Sequence, residues 1–208
     1  MKHHQNFAGH RRRSAVTIAV TALAAALISS PAHAAVHSGG ATPKGNVVGP
    51  LGPLTSIAVQ RILLGDKVAE AKFGTDSPID DPAREQQELQ AVAAMAANAG
   101  IDPDASVRFF DAQIEANKVV QRGLYALWTK HPELRPSERP DLTKDVRPKL
   151  DQITTEIIEQ LKATRDTRKP TATCHLQLLQ AQLSTELRAR LDALHRRALK
   201  TALQPVCT

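Results

Sequence analysis

Arg61 and Lys72 stand eleven residues apart, close to three turns of an α-helix. On one helix they would project the same way, about 16 Å apart along the axis. Arg84 and Glu85 follow Asp81-Pro82 at a helix start, Asn117 and Gln121 are one turn apart, and Arg147 lies further on. These residue types exclude much chemistry. No Ser or Cys nucleophile is paired with His, no two carboxylates occupy acid/base positions, and no phosphate-binding loop is present. What remains is a set of cations and neutral donors. Such a set binds a small polyanion and stabilises developing charge electrostatically. It suits either a binding protein or an enzyme whose reaction needs no proton transfer.

The elements that must position these residues are helices. Leu54, Ile57, Arg61, Leu64, Val68 and Lys72 step by three or four, which predicts a helix over 54–72 with one inward face. A second helix should start at Asp81 as N-cap with Pro82 in its first turn, and Glu85, Glu88, Leu89, Val92 and Met95 continue its inner face. A third should run from Asp102 or Asp104 to Trp128, with Val107, Phe110, Ile114, Asn117, Gln121, Leu124 and Trp128 as its seam. The three prolines of 130–141 predict a loop, and a fourth helix from Asp141 or Thr143 would carry Arg147, Leu150, Thr154, Ile157 and Leu161 in line. A buried cation without an anion costs several kcal/mol, so inward-facing Arg61 and Lys72 imply a bound anion. The competing reading pairs Arg61 with Glu85 or Glu88 as a structural ion pair. Asn117 and Gln121 are likewise either pocket donors or core amides bonded to each other, and Arg147 is either a pocket residue or an arginine reaching out from a helix end.

Around this core lie two other kinds of segment. Residues 1–34 read as a signal peptide: Lys2 and Arg11-Arg12-Arg13, then the uncharged, largely apolar Ala15–Ser29, then an A-x-A site at Ala32-His33-Ala34. The consecutive arginines leave a twin-arginine signal as the minority alternative. Residues 35–53 are rich in Gly and Pro and read as a flexible leader, which places the domain at 54–208. The whole chain carries 27 Lys and Arg against 21 Asp and Glu, but cleavage would remove four of the basic residues and none of the acidic ones. The remaining excess of two gives no nucleic-acid footprint. The Ala15–Ser29 run is too short and Ala-rich for a membrane span, so no membrane association is expected after cleavage. Strand-like alternation is absent and helix formers dominate, which makes the class all-α.

Two helices are expected in 174–204, with Leu176, Leu179, Leu183, Leu187, Leu191 and Leu194 as their core contacts. Arg188, Arg190, Arg196, Arg197 and Lys200 read as a solvated face. Cys174 and Cys207 both fall in the exported part, so a disulfide is the default. It would tie the last two helices together and contribute on the order of 3–4 kcal/mol in the chain-entropy model. His37, His131, His175 and His195 show no ligand spacing with the cysteines, so no metal site is expected.

The combination R61-x10-K72, D81-x2-R84-E85 and N117-x3-Q121, with a signal peptide before it and a disulfide-closed tail after it, resembles chorismate mutase of the AroQ class. The secreted gamma subclass fits best. VAEAKFGTDSPIDDPAREQQEL and GIDPDASVRFFDAQIEANKVVQ carry the match. The resemblance implies a single-domain bundle of about six helices, a homodimer, no cofactor, and the Claisen rearrangement of chorismate to prephenate. Arg61 and Arg147 would then hold the substrate carboxylates. Lys72 would contact a carboxylate and the ether oxygen, and Gln121 would donate to that oxygen from the other side. Glu85 would accept from the ring hydroxyl, with Arg84 and Asp81 positioning that end. Asn117 stands where the family often has Ser or Thr, and Glu88 where related secreted enzymes have Gln. The rival class is an exported helical protein that binds a small anion without turnover. A weaker third is a structural bundle whose inward charges are ion pairs.

Overall fold

The computed structural model describes residues 49–208. The expected signal peptide and most of the expected leader lie outside the described residues. Six α-helices follow in chain order: α1 Gly52–Lys72, α2 Pro82–Ala99, α3 Pro103–Lys130, α4 Arg147–Ala163, α5 Ala172–Ala189 and α6 Ala193–Leu203. A 3-10 turn over Pro132–Leu134 and a π-type turn over Leu142–Val146 join α3 to α4. No strand occurs among the described residues. The all-α class expected from composition holds.

Local chemistry sets the helix starts. Asp81 accepts from Arg84 N at 3.1 Å, and Glu85 Oε1 reaches back to Asp81 N at 3.1 Å. Asp102 caps α3 through Asp104 N and Ala105 N. Thr171 caps α5, and Asp192 caps α6. Each side-chain oxygen satisfies an amide that has no partner inside its helix. Gly100 ends α2 at φ +73°, a left-handed conformation that costs glycine nothing.

α3 is the central helix, packed on α1, α2 and α6, while α4 and α5 lie against α1. Leu54, Ile62, Phe109, Phe110, Ile157, Leu161 and Leu199 are fully buried between them. Two polar ties fix α6. Gln113 on α3 donates to the buried carbonyl of Ala202 at 2.8 Å. His195 on α6 meets Asp66 of α1 through Nε2 at 2.9 Å and Asp192 through Nδ1 at 2.8 Å. The Cys174–Cys207 disulfide closes the α5–α6 pair.

The C-terminal leucines depart from expectation. Leu191 is buried, and Leu194 packs on α3 at Gly123. Leu176, Leu179, Leu183 and Leu187 are exposed. The face of α5 that is buried carries Cys174, Ala181 and Thr185. Small side chains let α5 approach α1 closely, and this turns the more apolar stripe outward.

Candidate active site

One cavity of about 270 Å³ lies between α1, α2, α3 and the start of α4. Arg61, Lys72, Asp81, Arg84, Glu85, Asn117, Gln121 and Arg147 all line it, as does Glu88. α1 brings Arg61 and Lys72 onto one wall, three turns apart. The Asp81 cap turns the chain so that α2 presents Arg84, Glu85 and Glu88. Mid-α3 supplies Asn117 and Gln121, and the π-type turn after the proline-rich loop delivers Arg147.

Arg61 is 4% exposed. Its Nη2 pairs with Glu88, and its guanidinium lies 5.8 Å from the centre of the Phe110 ring. Its Nε and Nη1 are buried without a hydrogen-bond partner. The ion pair with Glu88 is therefore present, and it engages one nitrogen of a side chain that also lines the cavity. Gln121 Nε2 donates to Asn117 Oδ1 at 2.7 Å, so the two amides are bonded to each other and also face the cavity. Lys72 Nζ donates to the Pro78 carbonyl at 2.7 Å. Burial holds its pKa below the usual lysine value, and Asp81 and Glu85 partly offset that.

Lys118 was not anticipated as a site residue. It is buried, and its Nζ lies 2.8 Å from Glu85 Oε2, 2.7 Å from Glu115 Oε1 and 3.5 Å from Asp80 Oδ1. Burial opposes its charge, but the hydrogen bonds to Glu115 and Glu85 outweigh burial and leave its pKa raised. Glu85 is thereby held at both oxygens, by Lys118 and by the Asp81 amide. The sequence showed Lys118 only as a residue three after Glu115, which reads as a surface pair. Gly65 was also missed. A Cβ there would sit 2.9 Å from Asn117 Nδ2, so its bare Cα gives the Asn117 amide its place.

Five basic and three acidic side chains line the cavity, an excess of two positive charges. The lining holds no histidine or cysteine, and no cluster with metal-binding composition occurs among the described residues. The arrangement can immobilise a compact dianion and favour charge that develops on it. A second cavity of about 340 Å³ between α2 and α4 shares Arg84, Glu88, Arg147 and Leu150 with the first.

The family model for chorismate mutase type II matches residues 54–122, which holds α2 and most of α1 and α3. The secreted chorismate mutase of Mycobacterium tuberculosis is 30% identical over 175 residues, covering 78% of this chain and 87% of that protein. The secreted chorismate mutase of Mycolicibacterium smegmatis is 33% identical over 158 residues, covering 76% and 86%. The crystal structure of chorismate mutase from Burkholderia phymatum superposes with a TM-score of 0.73 at 31% identity, covering 76% of this chain and 96% of that one. On this shared fold, sequence and coverage, the chain belongs to the chorismate mutase type II family.

Proposed function

We propose that this chain rearranges chorismate to prephenate in the cavity between α1, α2 and α3. The observation that carries the reading is Arg61: a buried guanidinium with two unpartnered nitrogens, in a pocket whose charge excess matches a dianion. Arg61 and Arg147 hold the two carboxylates and so select the compact conformer. Bringing the reacting ends together converts lost freedom into rate. As the ether C–O bond breaks, negative charge gathers on oxygen. Lys72 and the second N–H of the Gln121 amide, whose first is taken by Asn117, stabilise that charge. Glu85, fixed by Lys118, accepts from the ring hydroxyl, and Arg84 and Asp81 shape that end. The reaction is unimolecular and pericyclic, so no nucleophile and no proton transfer are required.

The export signal over 1–34 and the homodimer belong to the same proposal. Export is supported by the relatives, which are secreted chorismate mutases, and one chain supplies every site residue named above. Purified protein incubated with chorismate, followed by the fall in ultraviolet absorbance, tests the activity. Lys72→Ala is expected to lose at least about 100-fold in turnover while keeping its helical content. Binding of a dianion analogue without turnover would instead support the anion-binding class. A folded Lys72→Ala variant of wild-type activity would overturn the site.

A further inference from the structure

Residues 73–81 connect α1 to α2 and fold back over the end of α1. Thr75 closes the turn on the Lys72 carbonyl, through its amide at 3.0 Å and its Oγ1 at 2.7 Å. Ser77, Pro78 and Ile79 then form part of the wall of the catalytic cavity, and the Pro78 carbonyl accepts from Lys72 Nζ at 2.7 Å. Asp80 is not part of that wall. It meets α3 instead: Arg122 Nη2 lies 2.6 Å from Asp80 Oδ1, and Lys118 Nζ lies 3.5 Å from the same oxygen.

We infer that Arg122 is a positioning residue: by holding Asp80 it fixes the Pro78 carbonyl, and that carbonyl aims the Lys72 ammonium at the breaking ether bond. The inference rests on the mutase reading for what Lys72 does. A lysine is a point charge on a flexible stem, and a site that stabilises developing charge needs its charges placed in advance. Lys72 ends α1, so the helix fixes the root of the side chain and leaves the tip to be held by something else. A backbone carbonyl suits that task. It takes one of the three ammonium donors and leaves two for a ligand, and it does not cancel the charge as a carboxylate would. On α3, Asn117 and Gln121 face the cavity, and Lys118 and Arg122 each stand one residue, about 100°, further round the helix. The two groups assigned to the ether oxygen are thereby set by one helix, Gln121 directly and Lys72 through Arg122, Asp80 and Pro78. Lys118 shares Asp80 but also holds Glu85, so Arg122 is the residue that isolates this role. The Arg122 and Asp80 side chains are 49% and 56% exposed. Exposed ion pairs add little stability, so the effect of this one lies in placement.

Arg122→Ala, made in two backgrounds, tests it. In the otherwise wild-type chain kcat for chorismate should fall about ten-fold. KM should stay within about two-fold, because Arg61 and Arg147 still hold the carboxylates. In a Lys72→Ala chain, which has no ammonium to aim, the same substitution should change kcat by less than about two-fold. Arg122→Lys should recover most of the loss, and the melting temperature should barely move in any of these chains with Lys72 intact. A kcat that stays at the wild-type level, or a loss of equal size in both backgrounds, would overturn the inference. A second measurement needs no substrate: acetylation of Lys72 by acetic anhydride, followed by peptide mass spectrometry. Lys72 should label several-fold faster in Arg122→Ala than in the wild type, and equal rates would overturn the hold of Arg122 on it. A wild type without turnover would sink the mutase reading, and the labelling rates would still decide whether Arg122 holds Lys72.

Discussion

Arg61 of α1 is paired with Glu88 of α2 through Nη2 alone, and its Nε and Nη1 have no partner. Glu88 keeps a buried cation from standing uncompensated. A bound carboxylate would share Arg61 with the Glu88 carboxylate, which repels it. Glu88→Gln removes that repulsion, about 1 kcal/mol at the distances involved. KM for chorismate should fall roughly five-fold, while the unliganded protein melts earlier. Steady-state kinetics and thermal melts check both halves. A rise in KM would show that Glu88 serves mainly to orient Arg61.

Lys118 acts through Glu85. Lys118→Met leaves the Glu85 carboxylate with the Asp81 amide as its one remaining partner of the two. On the proposed role of Glu85, a carboxylate free to rotate holds the ring hydroxyl less well, so KM should rise about ten-fold, and Lys118→Arg should recover most of the loss. A structural role alone would lower the melting temperature and leave KM unchanged. Steady-state kinetics beside thermal melts distinguishes the two.

The seams of α1, α2 and α3 were legible because their polar members fall at helical steps in otherwise apolar stripes. Arg61 stands between Ile57 and Leu64, and Asn117 and Gln121 stand between Ile114 and Leu124. A polar residue on a buried seam must find a partner or a ligand, and that constraint is local to each helix. Lys118 and Gly65 were not legible, because their roles exist only across two helices. The α5 leucines misled for the same reason. Periodicity names the more apolar face of a helix. Which face turns inward depends on how closely the neighbour must approach, and α1 required the face with Ala181 and Thr185.

Gly65→Ala separates propensity from site geometry. Alanine in place of a helical glycine gains up to about 1 kcal/mol. Its Cβ, however, would meet Asn117 Nδ2 at 2.9 Å and Val120 Cβ at 3.4 Å. Asn117 must shift and carry its hydrogen bond to Gln121 with it. Stability should change little while kcat/KM falls about ten-fold, since small misplacements of donors are costly. Urea unfolding measured beside turnover checks the split. Equal losses in both would mean that α1 and α3 have moved apart instead.

His195 links α6 to α1. The hydrogen bond to Asp66 raises its pKa to about 9 against the opposing effect of burial, and Asp192 adds to the rise. The folded pKa exceeds the unfolded value of about 6.5, so the protonated imidazolium stabilises the fold. That contribution is complete below about pH 6.5 and is lost as pH rises through about 9. Denaturant unfolding should therefore show lower stability at pH 9.5 than at pH 6, by on the order of 1–3 kcal/mol. His195→Gln should flatten this difference. An unchanged difference would assign the pH dependence to other groups.

The proposed role of Gln121 sets the expected pH dependence of the chemistry. Its amide donates at any ordinary pH, and Lys72 is charged across the neutral range. The wild type should hold a nearly flat kcat/KM from about pH 5 towards 9. Burial lowers the Lys72 pKa, so the first loss should come at the alkaline end. Gln121→Glu changes the sign of the low-pH behaviour. A carboxyl donates to the ether oxygen only while protonated. Once ionised, it takes a proton donor from Asn117 and sets a negative charge beside the oxygen where charge gathers. The variant should keep activity at low pH and lose it as pH rises through the Glu pKa, with helical content unchanged. If the wild type shows a steep acid optimum, or if Gln121→Glu leaves the profile flat, Gln121 does not face the ether oxygen. Lys72 would then be the only group named here acting on the breaking bond.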